Sequence, residues 1–407
     1  MPRRQRWTPV RGTGSRVYDT RERLVLGALD LPGRAVAAVR RGLGPKRPPS
    51  SIDPATLQDV LVLRLDRIGD LLMSLPALQD LRRSLPRARI RLAVGRWSED
   101  AALSAPVDEV LVWSPPWAGR PAEGADTLGE LWRKARSLSG LDLALDLQGD
   151  VRSSFLLWLT GARLRAGYAN TGGAYLLTHV IPLDETVSWV EQSQRAVASL
   201  VGAKAEPPRA EALTPRERGE AEAMLARLGL GARRPLVGIH PGGGRRVKQW
   251  DARRWGAVGA RLQRELGAVV VITGSRADGA LAAAVAAELT EPPVDLTGRL
   301  SLRETMVLLS ALDLFLSPDT GPMHMACAVG TPSVSVFGPS DPVRYFSGTA
   351  YDPAGARHRV VRRELWCSPC NLIRKPPAEC AGPDPPECLD LVSVDEVYGM
   401  AEALLRG

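Results

Sequence analysis

Three turns in this sequence bring acids, cations, glycines and hydroxyls together at spacings suited to proton and phosphate chemistry. The first is Arg64-Leu65-Asp66-Arg67-Ile68-Gly69-Asp70, where an apolar run gives way to a helical pattern. Asp70 reads there either as a helix N-cap or as a general base for a hydroxyl proton. Asp66 is the rival carboxylate. The second turn runs from His240 to Trp250. Its Gly242 and Gly243 let the backbone approach an anion closely, and Arg245, Arg246 and Lys248 supply positive charge. The bland alternative is a surface loop with solvated cations. The third turn is Ser317-Pro318-Asp319-Thr320-Gly321-Pro322-Met323-His324. Pro322 suits the first turn of a helix, so Thr320 and Gly321 offer backbone N–H groups at a helix N-terminus, an anion site. His324 follows on that first turn. Two anion-handling turns in one half of the chain point to a nucleotide diphosphate. Neither the Walker pattern nor Gly-x-Gly-x-x-Gly is present, so the phosphate site is of another kind.

The elements that must position these turns follow from apolar patterning. Short apolar runs at 60–65, 89–95, 110–113 and 141–147 read as buried strands. A helical pattern at 70–84 follows the first of them. After a polar, proline-bearing stretch at 203–215 a second set begins. Strands at 236–240, 269–273, 294–296, 314–317 and 333–337 alternate with helices at 252–266, 278–289, 302–311 and 322–329. Such alternation predicts parallel βαβ units, and ligands of these sheets sit at the carboxyl ends of strands. The predicted organisation is a basic extension at 1–55, a first α/β domain at 56–205 and a linker at 206–215. A second α/β domain at 216–365 and a Cys-bearing segment with a closing helix at 366–407 complete the chain.

Charge and composition narrow the function. The chain has 407 residues and a formal net charge of +8. Residues 1–50 hold twelve Lys/Arg and three Asp/Glu, a net +9, which leaves −1 for the rest. The body therefore lacks the basic balance of a nucleic-acid-binding domain. No apolar run approaches the roughly 20 residues of a membrane helix. The run at 24–29 is broken by Asp30, Pro32 and Gly33, too short for a cleavable signal. The body reads as cytoplasmic. The stretch at 21–41 reads either as short basic amphipathic helices loosely attached to an anionic inner leaflet or as a solvated extension.

On these residues the chain resembles glycosyltransferase family 9, the ADP-heptose:lipopolysaccharide heptosyltransferases. The motifs that carry the resemblance are Arg64–Pro76 (RLDRIGDLLMSLP), 142–149 (DLALDLQG), 240–255 and 317–339 (SPDTGPMHMACAVGTPSVSVFGP), and the likeness covers about residues 58–406. The resemblance implies an α/β GT-B fold, two doubly wound Rossmann-like domains facing a central cleft. It implies an inverting, metal-independent transfer of a heptose from a nucleotide-diphosphate sugar, ADP-heptose, to a lipid-linked glycan acceptor of the cell envelope. Asp70 matches the family's base, and Lys248 the lysine on the donor phosphates. Asp319, Thr320, Gly321 and His324 match the donor-binding turn, and Asp278 aligns more loosely with an acid that contacts the ribose. The turns read a diphosphate but not a base, so UDP-, GDP- and dTDP-sugars remain alternative donors. A non-catalytic nucleotide- or sugar-binding protein is the reading from another class.

No cofactor is required by this chemistry. Cys367, Cys370, Cys380 and Cys388 nevertheless form a dense group. In a cytoplasmic chain they suggest a structural zinc rather than disulfides, although gaps of nine and seven residues depart from common finger spacings. Free thiols are the alternative.

Overall fold

The computed structural model describes residues 52–118, 124–202, 206–207, 212–230, 235–373, 376–382 and 384–407. The basic extension read at 1–55 lies outside them except for its last residues, as does 208–211 of the linker. The chain divides into two compact units that part in sequence between Pro208 and Arg209.

The first unit is built on six strands: β1 (Asp59–Arg64), β2 (Arg89–Val94), β3 (Glu109–Val112), β4 (Leu143–Asp146), β5 (Leu164–Gly167) and β6 (His179–Val180). They lie parallel in the order β3-β2-β1-β4-β5-β6. Val60 faces Ile90 on one side and Leu143 on the other. A strand paired on both edges and covered on both faces must be apolar throughout, which explains Val-Leu-Val-Leu in β1. The principal helices are α1 (Ile68–Ser84), α2 (Leu128–Ser137), α3 (Val151–Leu159) and α4 (Trp189–Val201). Helices α1 and α4 pack on each other. Leu131 and Ala135 of α2 and Leu156 and Leu157 of α3 share a core with Leu61, Leu63 and Ala144 of the sheet.

The second unit repeats this topology. Its principal helices are α5 (Pro215–Arg227), α6 (Ala252–Leu266), α7 (Gly279–Ala286), α8 (Leu302–Ser310), α9 (Gly321–Val329) and α10 (Val394–Arg406). Its strands are β7 (Leu236–Ile239), β8 (Val269–Ile272), β9 (Val294–Asp295), β10 (Leu314–Pro318), β11 (Ser333–Phe337) and β12 (His358–Arg362). They run parallel in the order β12-β11-β10-β7-β8-β9. The terminal helix α10 packs against α6 and strands β10 and β11. Trp250 and Trp255, edge to face at 4.7 Å, anchor α6 in that core.

In each sheet the first strand has its successors on one side and the fourth strand on the other. The gap between first and fourth strands is the topological switch point, where helices leave in opposite directions and a crevice opens. In the first unit the Arg64–Asp70 turn and the Asp146–Gly149 turn follow the two strands at that point. In the second the same place is held by the turns after β7 and β10, which are the His240–Trp250 and Ser317–His324 stretches.

Candidate active site

In the first unit the switch point is organised by a buried arginine. Arg64 ends β1 and is only 2% exposed. Its Nε lies 3.3 Å from Asp66 Oδ1, and its Nη2 lies 3.8 Å from Asp70 Oδ1. Nε also donates to the Asp70 carbonyl at 3.1 Å, and Nη1 donates to the Leu147 carbonyl. One guanidinium thus ties β1, the first turn of α1 and the end of β4 together. Such a planar, always-charged group with five donors suits this task.

Asp70 is not the N-cap of α1. The helix starts at Ile68 after the extended Arg67, which puts Gly69 and Asp70 inside the first turn. The Asp70 carboxylate accepts the Arg67 N–H at 3.3 Å through Oδ2, while its side chain keeps a quarter of its surface exposed. Asp66 differs. Burial pushes its carboxyl up to about 8, the Asp70 and Asp146 charges add to this, and Arg64 opposes it. Burial also pushes Asp146 up to about 7, against hydrogen bonds from the Gln148 and Gly149 N–H groups at 2.9 and 3.1 Å. Gly149 has φ +82°, and a Cβ there would stand 2.8 Å from the Asn170 and Tyr168 side chains. Of the two rival carboxylates, Asp66 is therefore mostly a neutral acid at pH 7.

In the second unit three turns converge. Lys248 Nζ lies 2.6 Å from Asp319 Oδ2, with both side chains mostly shielded from solvent. Helix α9 starts at Gly321, and the extended Thr320 makes no side-chain cap bond to it. Among the described residues the Thr320 hydroxyl is buried without a hydrogen-bond partner. Such a group costs about 1–3 kcal/mol, which a ligand oxygen would offset. His324 is buried on the first turn, its Nδ1 3.0 Å from the Ser347 hydroxyl.

Glycines make the convergence close. A Cβ on Gly243 would lie 3.3 Å from the Thr320 methyl and 3.2 Å from Gln249 Cγ. One on Gly242 would run into the Asp278 carboxylate. Asp278 is the N-cap residue of α7 but makes no side-chain cap bond to it, and the helix ends at Ala286, short of the predicted 289. A 3-10 turn, Arg276–Asp278, precedes α7, and the Ser275 N–H and hydroxyl donate to Asp278 Oδ2 at 2.8 and 2.6 Å. His240 stands behind these turns, its Nδ1 3.3 Å from the Thr273 hydroxyl, and burial pushes its pKa down to about 4. It is a neutral hydrogen bonder at pH 7.

The ammonium of Lys248 beside an uncapped helix N-terminus can receive a diphosphate, since fixed cations and first-turn N–H groups both favour negative charge. The sequence placed Arg64 and Asp146 inside motifs without giving either a role, and it gave no role to Thr273 or Ser347. Arg64 and Asp146 carried a signal, a cation and an acid at the ends of apolar strands.

Nothing in the structure supports the zinc reading of the cysteines. Among the described residues no group of three or more His, Cys, Asp or Glu is arranged to hold a metal ion. Cys388 belongs to the core of the second unit, where burial pushes its thiol up to about 12, and Cys370 Sγ accepts the Leu372 N–H at 3.4 Å. All five cysteines are free. Among the described residues no helix is long and apolar enough to cross a membrane.

A Rossmann-like sheet repeated twice along one chain is the plan of the GT-B glycosyltransferases. The family model for glycosyltransferase family 9 (heptosyltransferase) matches residues 131–379, and the chain belongs to that family. Lipopolysaccharide heptosyltransferase 2 of Salmonella typhimurium is 27% identical over 299 residues, 70% of this chain and 83% of that protein. The glycosyltransferase family 9 structure from Veillonella parvula superposes with a TM-score of 0.69 at 23% identity, covering 86% of this chain and 97% of the other. The ADP-heptose lipopolysaccharide heptosyltransferase II of Escherichia coli gives 0.68 at 21%, covering 86% and 99%. These structural likenesses establish the fold.

Proposed function

We propose that this glycosyltransferase moves a heptose from ADP-heptose to a lipid-linked core glycan, with inversion at the anomeric carbon. Residues 56–205 take the acceptor and residues 216–365 the donor. The observation that carries the reading is the Lys248–Asp319 pair at the N-terminus of α9, 2.6 Å between Nζ and Oδ2. That arrangement meets a diphosphate. The names of the relatives supply heptose and adenine.

In the reaction the acceptor oxygen attacks the anomeric carbon, and its proton passes to Asp70. The bond between that carbon and the β-phosphate oxygen breaks, and its electron pair leaves with ADP. Charge grows on the diphosphate as the bond breaks. Lys248 and the N–H groups at Thr320 and Gly321 therefore stabilise the transition state more than the ground state. That supplies the leaving-group chemistry without a metal ion. A lipid-linked acceptor places the work at the cytoplasmic face of the inner membrane.

The test is calorimetric binding of ADP, UDP, GDP, CDP and dTDP, followed by mass-spectrometric detection of transfer from ADP-heptose to a heptose-deficient core. Selective ADP binding and a product heavier by one heptose are expected. Selectivity for another base would replace the donor. Tight ADP binding without transfer to any core acceptor would overturn the reading.

A further inference from the structure

We propose that the outward face of α2 and α3 docks the protein on an anionic lipid bilayer. This rests on the reading of a lipid-linked acceptor. Four large apolar side chains stand out on these two neighbouring helices: Leu128 (68% exposed), Trp132 (51%), Phe155 (47%) and Trp158 (48%). Leu128 and Trp132 are one helical turn apart, as are Phe155 and Trp158, so each pair shares a face. Phe155 and Trp158 stack with ring centroids 5.6 Å apart. Single exposed apolar residues are ordinary. Three aromatics on two helices that pack on each other and share one core are not.

The chemistry selects a bilayer. Tryptophan has a broad apolar body and one N–H donor, which suits the headgroup boundary. Arg133 and Arg136 are exposed on α2 beside Trp132. The acid of that helix, Glu130, is turned into its N-terminal cap, accepting from the Thr127 N–H at 2.7 Å. Aromatics flanked by exposed cations complement lipid phosphates. A second copy fits less well, because a two-fold contact would set the same cations against each other. The face also lies near the chemistry. Asp150 caps α3 directly after the Asp146–Gly149 turn at the switch point. Docking here brings the end of the sheet that holds Asp70 toward acceptors embedded in the bilayer.

The experiment uses the full chain with phosphatidylglycerol/phosphatidylcholine vesicles, plain or with brominated acyl chains. Wild type should partition onto anionic vesicles and lose part of its tryptophan fluorescence to the brominated lipid. Trp132→Ala/Trp158→Ala should lose that quenching component and weaken partitioning about tenfold or more. Arg133→Glu/Arg136→Glu, which keeps the aromatics, should lose the preference for anionic over neutral vesicles. Both variants should bind ADP and glycosylate a deacylated core oligosaccharide as wild type does. Partitioning and quenching unchanged in both variants would overturn the proposal, because the bilayer would then be held elsewhere. So would a wild type that ignores vesicles, or a dimer that the aromatic variant dissolves. Vesicle binding as described without any heptose transfer would leave the surface standing and remove only the enzymatic reading.

Discussion

Lys248 Nζ and Asp319 Oδ2 stand 2.6 Å apart, on two turns separated by most of the second sheet's sequence. The carboxylate aims the ammonium and offsets its burial. Removing one partner of a shielded pair leaves the other uncompensated. Lys248→Ala should therefore lower unfolding free energy by about 2–3 kcal/mol. It should weaken diphosphate binding by roughly 10- to 100-fold, the value of one charge-assisted contact. Lys248→Ala/Asp319→Asn should recover stability without recovering affinity. Denaturant melts and calorimetry check this; a double variant less stable than Lys248→Ala would show that the pair is not the stabilising contact.

The first unit offers two carboxylates and separates them by environment. Asp70→Asn should reduce turnover by roughly 10²- to 10⁴-fold while ADP affinity is retained. Asp66→Asn should keep most of the turnover, since Asn imitates the neutral acid that burial creates at Asp66. Steady-state kinetics with both variants assign the base, and the reverse ranking would move the role to Asp66.

The same burial has a stability consequence with a definite sign. Asp66 and Asp146 are raised from 3.8 to about 8 and about 7. Both are protonated in the native state over a range where the unfolded chain has already lost its protons. Their contribution is complete below pH 3.8 and is lost as pH rises toward 7 and 8. Replacing Asp66 by Asn should thus be nearly neutral at pH 4 and increasingly stabilising above it, by at most about 1.4 kcal/mol per pH unit. Chemical denaturation at pH 5 and pH 8.5 tests the trend. A variant equally destabilised at both values would show that the carboxyl is needed for its contact with Arg64.

Much of this architecture was legible in the sequence because parallel strands buried on both faces are uninterrupted apolar runs. Val60–Leu63 and Val269–Ile272 are of that kind. Strands β5, β6 and β12 were not. β5 reads Leu-Arg-Ala-Gly, and β6 has two residues, so neither carries a period. The glycine-rich and Asp-Thr-Gly turns stood out, since closely approaching backbones demand glycine and helix starts favour proline. Their supporting residues did not. Ser347 reaches His324 across 23 positions, and Thr273 reaches His240 across 33, contacts that only the folded unit creates. Asp70 was singled out, but its place inside the first turn of the helix was not, because Gly69 reads as a turn and is helical here.

Ser347 supplies the last test, because it acts only through a neighbour. Its hydroxyl lies 3.0 Å from His324 Nδ1, and both residues are buried. The bond fixes the ring on the first turn of α9, beside the Thr320 hydroxyl and the N–H groups offered to the diphosphate. Ser347→Ala should cost about 0.5–1.5 kcal/mol of stability and raise the donor KM more than it lowers kcat, because binding geometry is disturbed and Asp70 is untouched. If the hydroxyl works through the ring, adding Ser347→Ala to His324→Ala should change donor affinity little further, since two residues in one hydrogen bond are not additive. Full additivity in that cycle would mean that Ser347 supports the pocket by a path that does not pass through His324.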